Sequence, residues 1–111
     1  MITRIWRGWT TDANAAAYEH LLTGEIFPGI ARRKIEGYLG ISLLRREQGA
    51  EVEFVTIMWF TNLAAVRAFS GSDYEVAVVP PKARALLSRF DERSAHYETV
   101  RPPFSESNGG V

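Results

Sequence analysis

The segment at residues 51–60 constrains the fold of this chain more than any other. It reads EVEFVTIMWF. A strand with one face in water alternates apolar and polar side chains. Here the even positions are apolar except for one threonine, and the odd positions are apolar from position 55 onward, at Val55, Ile57 and Trp59. We therefore expect a strand that is covered on both faces.

The other elements follow from local patterns. Segments rich in β-branched and aromatic residues predict three more strands, at residues 2–9, 38–46 and 93–100. Gly49 lies between the second and third strands, where a hairpin turn needs a positive φ. Apolar residues at helical spacing predict helices, and glycines and prolines predict their interruptions. The helical segments are expected at residues 13–23, 25–33, 63–70, 74–79 and 81–90.

The order strand, helix, strand, strand, helix, strand is typical of the ferredoxin-like βαββαβ arrangement, an α+β fold with a four-stranded antiparallel sheet. Its helices pack on one face of the sheet and leave the other face open. Because that open face is apolar here, we expect a second copy of the chain to cover it and form a homodimer. Residues 1–101 are expected to be one domain, and residues 102–111, which are polar and glycine-rich, a flexible tail.

Charge and composition exclude several classes of function. Lys and Arg number 13 and so do Asp and Glu, which leaves no net charge, whereas a nucleic-acid binder needs a basic excess. Cysteine is absent, which excludes disulfides, thiolate metal sites and a cysteine nucleophile. The first residues do not resemble a signal peptide, and no apolar run is long enough to span a membrane. We expect a cytoplasmic protein with neither nucleic-acid nor membrane partners.

Two residues from opposite ends of the domain are candidates for chemistry. His96 in the last strand could act as a general base, because an unperturbed imidazole titrates near neutrality. It could equally be a hydrogen-bonded histidine of the core or an interface. Arg4 shares a strand face with Trp6, and a charge on a covered face needs a partner or an anionic ligand. His20 is expected to face outward from the first helix, so the histidines do not converge and no metal site is expected.

Aromatic side chains predict a pocket between the sheet and the helices. We expect Trp6, Phe54, Trp59 and Tyr74 to line it, since small-molecule sites are mostly apolar with a few polar groups. Ordinary core packing is the alternative interpretation. The chain lacks the glycine-rich dinucleotide fingerprint and the Gly-x-Ser-x-Gly elbow. We therefore expect no nucleotide or flavin cofactor and no acyl-enzyme.

Three segments together resemble the antibiotic biosynthesis monooxygenase family: EFVTIMWF at residues 53–60, NLAAVRAF at residues 62–69 and RFDERSAHYE at residues 89–98. The resemblance implies a dimeric α+β barrel. Some members oxidise polyketide-derived phenols to quinones with molecular oxygen and no cofactor, and relatives bind and degrade haem. The haem-degrading relatives place an iron-ligating histidine on the second helix, whereas residues 74–80 of this chain contain no histidine.

The resemblance also implies roles for the candidate residues. In the cofactor-free reaction a phenol loses its proton, the anion passes an electron to oxygen, and the two radicals recombine at a ring carbon. His96 would serve as the base, Trp6 and Trp59 as pocket walls, and Arg4 as the group that stabilises the anion. Two other hypotheses are a non-catalytic dimeric barrel that binds small molecules, and a haem binder that uses His96 as its ligand.

Overall fold

The computed structural model describes residues 1–103. Residues 104–111, most of the predicted tail, lie outside the described residues. The described chain contains one antiparallel sheet with helices on one face. Its strands are β1 Ile2–Thr11, β2 Tyr38–Gln48, β3 Glu51–Phe60, β4 Arg89–Phe90 and β5 Ala95–Glu98.

The strands lie in the order β2-β3-β1-β4, and β5 also pairs with β1. The helices are α1 Asp12–Leu21, a π-helical turn Leu22–Ile26, α2 Phe27–Arg32, α3 Leu63–Ser70 and α4 Pro81–Leu86. This arrangement confirms the predicted α+β ferredoxin-like fold. Over residues 1–103, none of the helices combines the length and the apolar character that crossing a bilayer requires.

The last part of the sheet differs from the prediction. The strand expected at residues 93–100 is present as the shorter β5, and a further short strand, β4, forms at the end of the helix expected at residues 81–90, so the described sheet has five strands rather than four. β4 pairs with Gly8 and Trp9, and β5 pairs with residues 2–5. The helix expected at residues 81–90 ends at Leu86, because the backbone groups that follow it form hydrogen bonds to the edge of β1 instead of within the helix. The N–H of Ser88, for example, donates to the carbonyl of Trp9 at 2.7 Å.

The first helical segment is longer than predicted. It runs over residues 12–32 through the π turn, so Gly24 and Pro28 do not interrupt it. In the π turn the N–H of Phe27 donates to the carbonyl of Leu22, one residue further back than in an α-helix. Pro28 lies in the first turn of α2, directly after the π turn.

The helix predicted at residues 74–79 is wrong. Residues 71–80, which we call the α3–α4 loop, contain no helix. The loop backbone bonds instead to the segment between β4 and β5: the N–H of Ser94 donates to the carbonyl of Glu75 at 2.7 Å, and the N–H of Ala77 to that of Glu92 at 2.9 Å. These long-range bonds use groups that a local helix would otherwise pair.

The two faces of the sheet have different surroundings. Even-numbered side chains of β1 and β3 face the helices and form two core clusters, one around Phe54 and Tyr18 and one around Phe60 and Phe69. Odd-numbered side chains form what we call the outer face. From β1 and β3 this face carries Thr3, Ile5, Arg7, Trp9, Glu53, Val55, Ile57 and Trp59.

Candidate functional site

A pocket lies between the two core clusters, where the sheet meets the helices. Its cavity volume is about 60 Å³, room for several water molecules at roughly 10–15 Å³ each. The first helical segment, β3 and the α3–α4 loop supply most of its apolar wall, including Leu22, Ile26, Phe27, Met58 and Val79. The side chains with polar atoms on the wall are Arg4, Trp6, Tyr18, Thr56 and Ser94.

Arg4 is the charged residue of this wall. It lies on the helix-facing side of β1, and only 3% of its surface is exposed. Nη1 donates to the carbonyl of Tyr74 at 2.6 Å and to Oγ of Ser70 at 3.4 Å, and Nη2 donates to the carbonyl of Val76 at 3.1 Å. The guanidinium therefore ties β1 to the end of α3 and to the α3–α4 loop.

The positive charge of Arg4 has no negative partner within the described chain. No carboxylate of residues 1–103 lies within 4.0 Å of the guanidinium. Its Cζ atom instead lies 5.3 Å from the centroid of the Phe69 ring. Burial lowers the pKa of Arg4 to about 10, so the side chain is still a cation at neutral pH. A buried cation on an apolar wall favours the binding of an anion.

His96 pairs directly with Arg4 in the register of β1 and β5. Nη1 of Arg4 lies 3.0 Å from Nε2 of His96. Because a guanidinium can only donate, Nε2 accepts and the ring proton belongs on Nδ1. Nδ1 is buried and has no hydrogen-bond partner within residues 1–103. Burial first, and the charge of Arg4 second, lower the pKa of His96, which keeps the ring neutral at pH 7.

The position of His96 differs from the one that a base acting in the pocket needs. The residue is not among the described residues that line the cavity. Its one accepting nitrogen is already occupied by Arg4. The ring of Tyr74 packs edge-on against it, with centroids 5.0 Å apart. In this geometry His96 orients the guanidinium, and it would have to release Arg4 before it could take a proton from a ligand.

Trp6 lies on the pocket wall, as the sequence predicts. Its Nε1 donates to the carbonyl of Asp91 at 2.7 Å, which leaves the face of the indole as an apolar surface. The ring approaches the backbone at Gly8, where an added Cβ would stand 2.8 Å from Cη2 of the indole. Only glycine allows this close approach, so Gly8 helps to set the position of Trp6.

The other three predicted pocket residues are placed elsewhere. Phe54 is fully buried in the cluster around Tyr18, with ring centroids 4.9 Å apart. Tyr74 is not among the lining residues, and its backbone carbonyl accepts a hydrogen bond from Arg4. Trp59 pairs with Thr3 and belongs to the outer face. Positions 54 and 59 are an odd number of residues apart, so the alternation of a strand puts their side chains on opposite faces.

Three polar residues of the pocket were not predicted. Ser94 is 5% exposed, and its buried Oγ has no hydrogen-bond partner within the described chain. Tyr18 is 1% exposed, and burial raises the pKa of its hydroxyl. Thr56 is the only polar residue on the even face of β3, which is the one signal that the sequence offered. Tyr18 is hidden in an apolar helical stripe, and Ser94 in a polar segment.

The site does not contain the elements of a metal centre. Within residues 1–103, no three side chains of His, Asp or Glu converge in a way that could hold a metal ion. His20 is exposed on α1, and Nε2 of His96 accepts from Arg4. The polar groups of the pocket are instead hydrogen-bond donors beside one fixed positive charge.

The sheet order and the helices on one face define an α+β ferredoxin-like fold with a small, mostly apolar pocket between the two layers. Solved structures with the same fold include a "putative antibiotic biosynthesis monooxygenase" from Bacillus cereus, with a TM-score of 0.63, 17% identity, and coverage of 96% of this chain and 98% of that one. A protein of the same description from Deinococcus radiodurans has a TM-score of 0.63 and 16% identity, with coverage of 96% and 100%. No protein-family model and no curated protein matches the sequence.

Proposed function

We propose that this protein oxidises a small phenolic aromatic molecule with molecular oxygen, without a bound cofactor, in the pocket beside Arg4. The observation that carries the proposal is a buried guanidinium, without a counter-charge among residues 1–103, on the wall of a mostly apolar cavity. The descriptions of the two proteins with the same fold support it. The resemblance of three segments to that family, described above, supports it independently.

The proposed reaction balances with oxygen as the only co-substrate. The phenol loses its O–H proton, and the phenolate transfers one electron to O₂ to give a phenoxyl radical and superoxide. The two combine at a ring carbon that carries hydrogen, and the peroxide takes up a proton. Loss of that C–H proton then breaks the O–O bond, which leaves a quinone carbonyl and one molecule of water. One oxygen atom enters the product, and the two substrate hydrogens leave in the water.

The pocket residues have distinct roles in this proposal. Arg4 lowers the pKa of the bound phenol and stabilises its anion through charge and hydrogen bonds. No histidine or carboxylate lines the described wall, so ionisation rests on Arg4 and the solvent proton acceptor. Trp6 forms the apolar wall against the ring. We assign His96 to positioning, because it accepts from Arg4.

An oxygen-consumption assay tests the proposal. The protein is incubated with an anthrone or a hydroquinone under air, and quinone absorbance and oxygen uptake are followed together. We expect quinone formation faster than in buffer. Val79→Trp, which fills the pocket from the α3–α4 loop, should abolish it. Val76→Trp is the control, because Val76 lies on the same loop, is exposed, and does not line the pocket. Rates equal to buffer would overturn the proposal.

The roles of His96 and Arg4 separate in the same assay. If His96 positions Arg4, His96→Gln keeps an acceptor for the guanidinium and retains most of the activity, whereas His96→Ala loses part of it. If His96 is the base, as the sequence suggested, both variants lose activity and the acidic limb of the pH–rate profile disappears. The comparison of the two substitutions decides between these roles.

Binding without catalysis is the second candidate function. The lack of a base among the described lining residues favours it. It predicts that ligands bind with the same dependence on Arg4 and that no oxygen is consumed. Haem binding through His96 requires Nε2 to leave Arg4, and a Soret shift on haem titration that is lost in His96→Gln would support it.

The outer face of the sheet supports a homodimer. Its centre is apolar, with Ile5, Val55 and Ile57 partly exposed in the single chain, and Leu44 and Tyr97 at its margins are 51% and 56% exposed. A second copy would cover this face, because an isologous two-fold contact buries the same patch twice. The lack of cysteine suits a reducing cytoplasm, where we place the dimer.

A further inference from the structure

We propose that the Arg4 end of the pocket is a binding site for a planar anion that presents two adjacent oxygens, as an aromatic carboxylate or an ionised hydroxyl beside a ring carbonyl does. The assignment of such a molecule as the substrate rests on the proposed function. Its binding does not, because binding requires no oxygen and no turnover.

The hydrogen-bond accounting of Arg4 is the first support. A guanidinium has five N–H groups. Nη1 is fully used by Tyr74, Ser70 and His96, and Nη2 has one acceptor, the carbonyl of Val76. Nε–H and the second N–H of Nη2 have no acceptor within residues 1–103. Both belong to the planar guanidinium, whose N–H groups match coplanar oxygens that share one negative charge.

Ser94 is the second support, from a different part of the chain. Its Oγ is buried and unpartnered, and the residue lines the same pocket as Arg4. A buried hydroxyl without a partner costs free energy, which a ligand oxygen would recover. The segment that carries Ser94 is held by its backbone N–H bond to Glu75, so the hydroxyl is preorganised. Together these residues offer three N–H or O–H donors and one positive charge.

The apolar part of the pocket determines the rest of the ligand. Trp6, Met58 and Val79 form walls that offer no group to a second charge. A hydrated inorganic anion would leave these walls without contacts. The site therefore favours a flat apolar ring with its charge at one edge.

Two anions and one neutral isostere test the proposal. Benzoate represents the carboxylate, tropolone the ring with two adjacent oxygens, and benzamide the uncharged match. Binding is measured by calorimetry without oxygen, and the Nε–H signal of Arg4 is followed by ¹H–¹⁵N NMR. We expect at least one anion to bind, benzamide to bind about tenfold more weakly or worse, and the Arg4 signal to move with occupancy. The preferred anion distinguishes a carboxylate from a hydroxyl–carbonyl pair.

Matched substitutions identify the donors. Arg4→Lys keeps the charge and removes the fork, and it should weaken anion binding about tenfold. Arg33→Lys is its control: Arg33 also donates to two backbone carbonyls and also stacks on Phe69, but it lies outside the pocket. Ser94→Ala should weaken binding several-fold. Its control is Thr10→Val, which removes another buried, unpartnered hydroxyl that does not line the pocket.

The outcomes separate this inference from the proposed function. Anion binding that depends on Arg4 and Ser94, in a protein that consumes no oxygen with any phenol, supports the site and contradicts the oxygenase. Turnover of a phenol by a protein that binds benzamide as tightly as the anions supports the oxygenase and contradicts the anion site. The inference is overturned if benzamide binds as tightly as benzoate and tropolone, if neither anion binds at millimolar concentration, or if Ser94→Ala and Arg4→Lys bind like the wild type.

Discussion

At the level of single residues, Arg4 contributes both to holding the α3–α4 loop in place and to the charge of the pocket wall. Its guanidinium supports the α3–α4 loop through two backbone carbonyls, and the residue also lines the pocket. A residue with both tasks links the shape of the pocket to its charge. Substitutions at Arg4 are therefore expected to change stability as well as binding.

Arg4→Met should destabilise the fold by about 2–4 kcal/mol, because it leaves the carbonyls of Tyr74 and Val76 and Nε2 of His96 without their donor. Equilibrium unfolding in denaturant measures this loss. Arg33→Met is the control, since the exposed guanidinium of Arg33 exchanges readily with water, and its loss should be well under half as large. Equal losses for the two variants would show that Arg4 does not support the loop.

The imidazole of His96 predicts a dependence of stability on pH. Its pKa is lowered in the fold, so the unfolded chain binds more protons wherever the pH lies below the unfolded value of about 6.5. The stabilisation is therefore complete above that value and is lost as the pH falls through the folded-state pKa. We expect the free energy of unfolding to decrease as the pH falls below about 6.5, and His96→Gln to lack this component.

The exposed histidine provides the control for this pH experiment. His20→Gln changes a residue on the solvent side of α1 and should leave the pH dependence as it is in the wild type. If His20→Gln removes the slope, or His96→Gln retains it in full, then the fold does not hold His96 neutral in the way that its burial and its contact of 3.0 Å with Arg4 indicate.

Adding a side chain at position 8 is expected to reduce stability, because Gly8 lies against the ring of Trp6 in the pocket wall. In Gly8→Ala the new Cβ would meet Cη2 of Trp6 at 2.8 Å and Cδ2 of Leu87 at 2.9 Å. Leu87 can move its flexible end, whereas the indole is fixed by its bond to Asp91. We expect a loss of about 1–3 kcal/mol in stability and an altered near-UV circular dichroism from displacement of Trp6. An unchanged spectrum would place the strain elsewhere.

At the level of elements, the π turn decides which side chains of the first helical segment reach the pocket. Leu22 begins the turn and Ile26 ends it, Phe27 and Ile30 follow it, and all four line the same cavity. A π turn adds one residue to the helical turn. Without it, α2 would be rotated by about 100° relative to α1, and the second pair would leave the wall.

Two changes at Gly24 test the importance of the π turn. Gly24→Ala should stabilise the protein by up to about 1 kcal/mol, because the new Cβ meets no atom within 4 Å and alanine favours helix. Deletion of Gly24 should restore an α-helical register, keep the helical circular dichroism, and abolish benzoate binding. A deletion variant that binds benzoate normally would show that the π turn has no part in shaping the pocket.

At the level of the whole molecule, the outer face is the surface through which we expect two chains to form a dimer. Ile57→Lys places a charge in the centre of this face, so we expect it to convert a dimer to a monomer of 12.5 kDa in analytical ultracentrifugation. Ala64→Lys is the control, because Ala64 is exposed on α3, in the helical layer. A wild type that sediments as a monomer would refute the dimer, and a dimeric Ile57→Lys would move the interface to another surface.

The sequence by itself determined the fold and part of the site. β3 occupies residues 51–60 and α3 residues 63–70 as predicted, because the bounds of such elements depend on short-range periodicity. The order of the elements is that of the ferredoxin-like arrangement, which led to the prediction of the fold. The same periodicity places Arg4 and Trp6 on one face of β1. The same alternation puts Phe54 and Trp59 on opposite faces of β3. The prediction that both line one pocket therefore failed for a reason that was already visible in the sequence.

Only the tertiary structure decided what these residues contact. Arg4 meets Tyr74 and His96 across separations of 70 and 92 residues, and no local pattern encodes such pairs. The free edge of the guanidinium, the unpartnered hydroxyl of Ser94 and the occupied nitrogen of His96 all depend on which segments the fold brings to the same wall. Local propensity predicted the strand covered on both faces, whereas long-range packing determined that a helical layer and a pocket cover one of them.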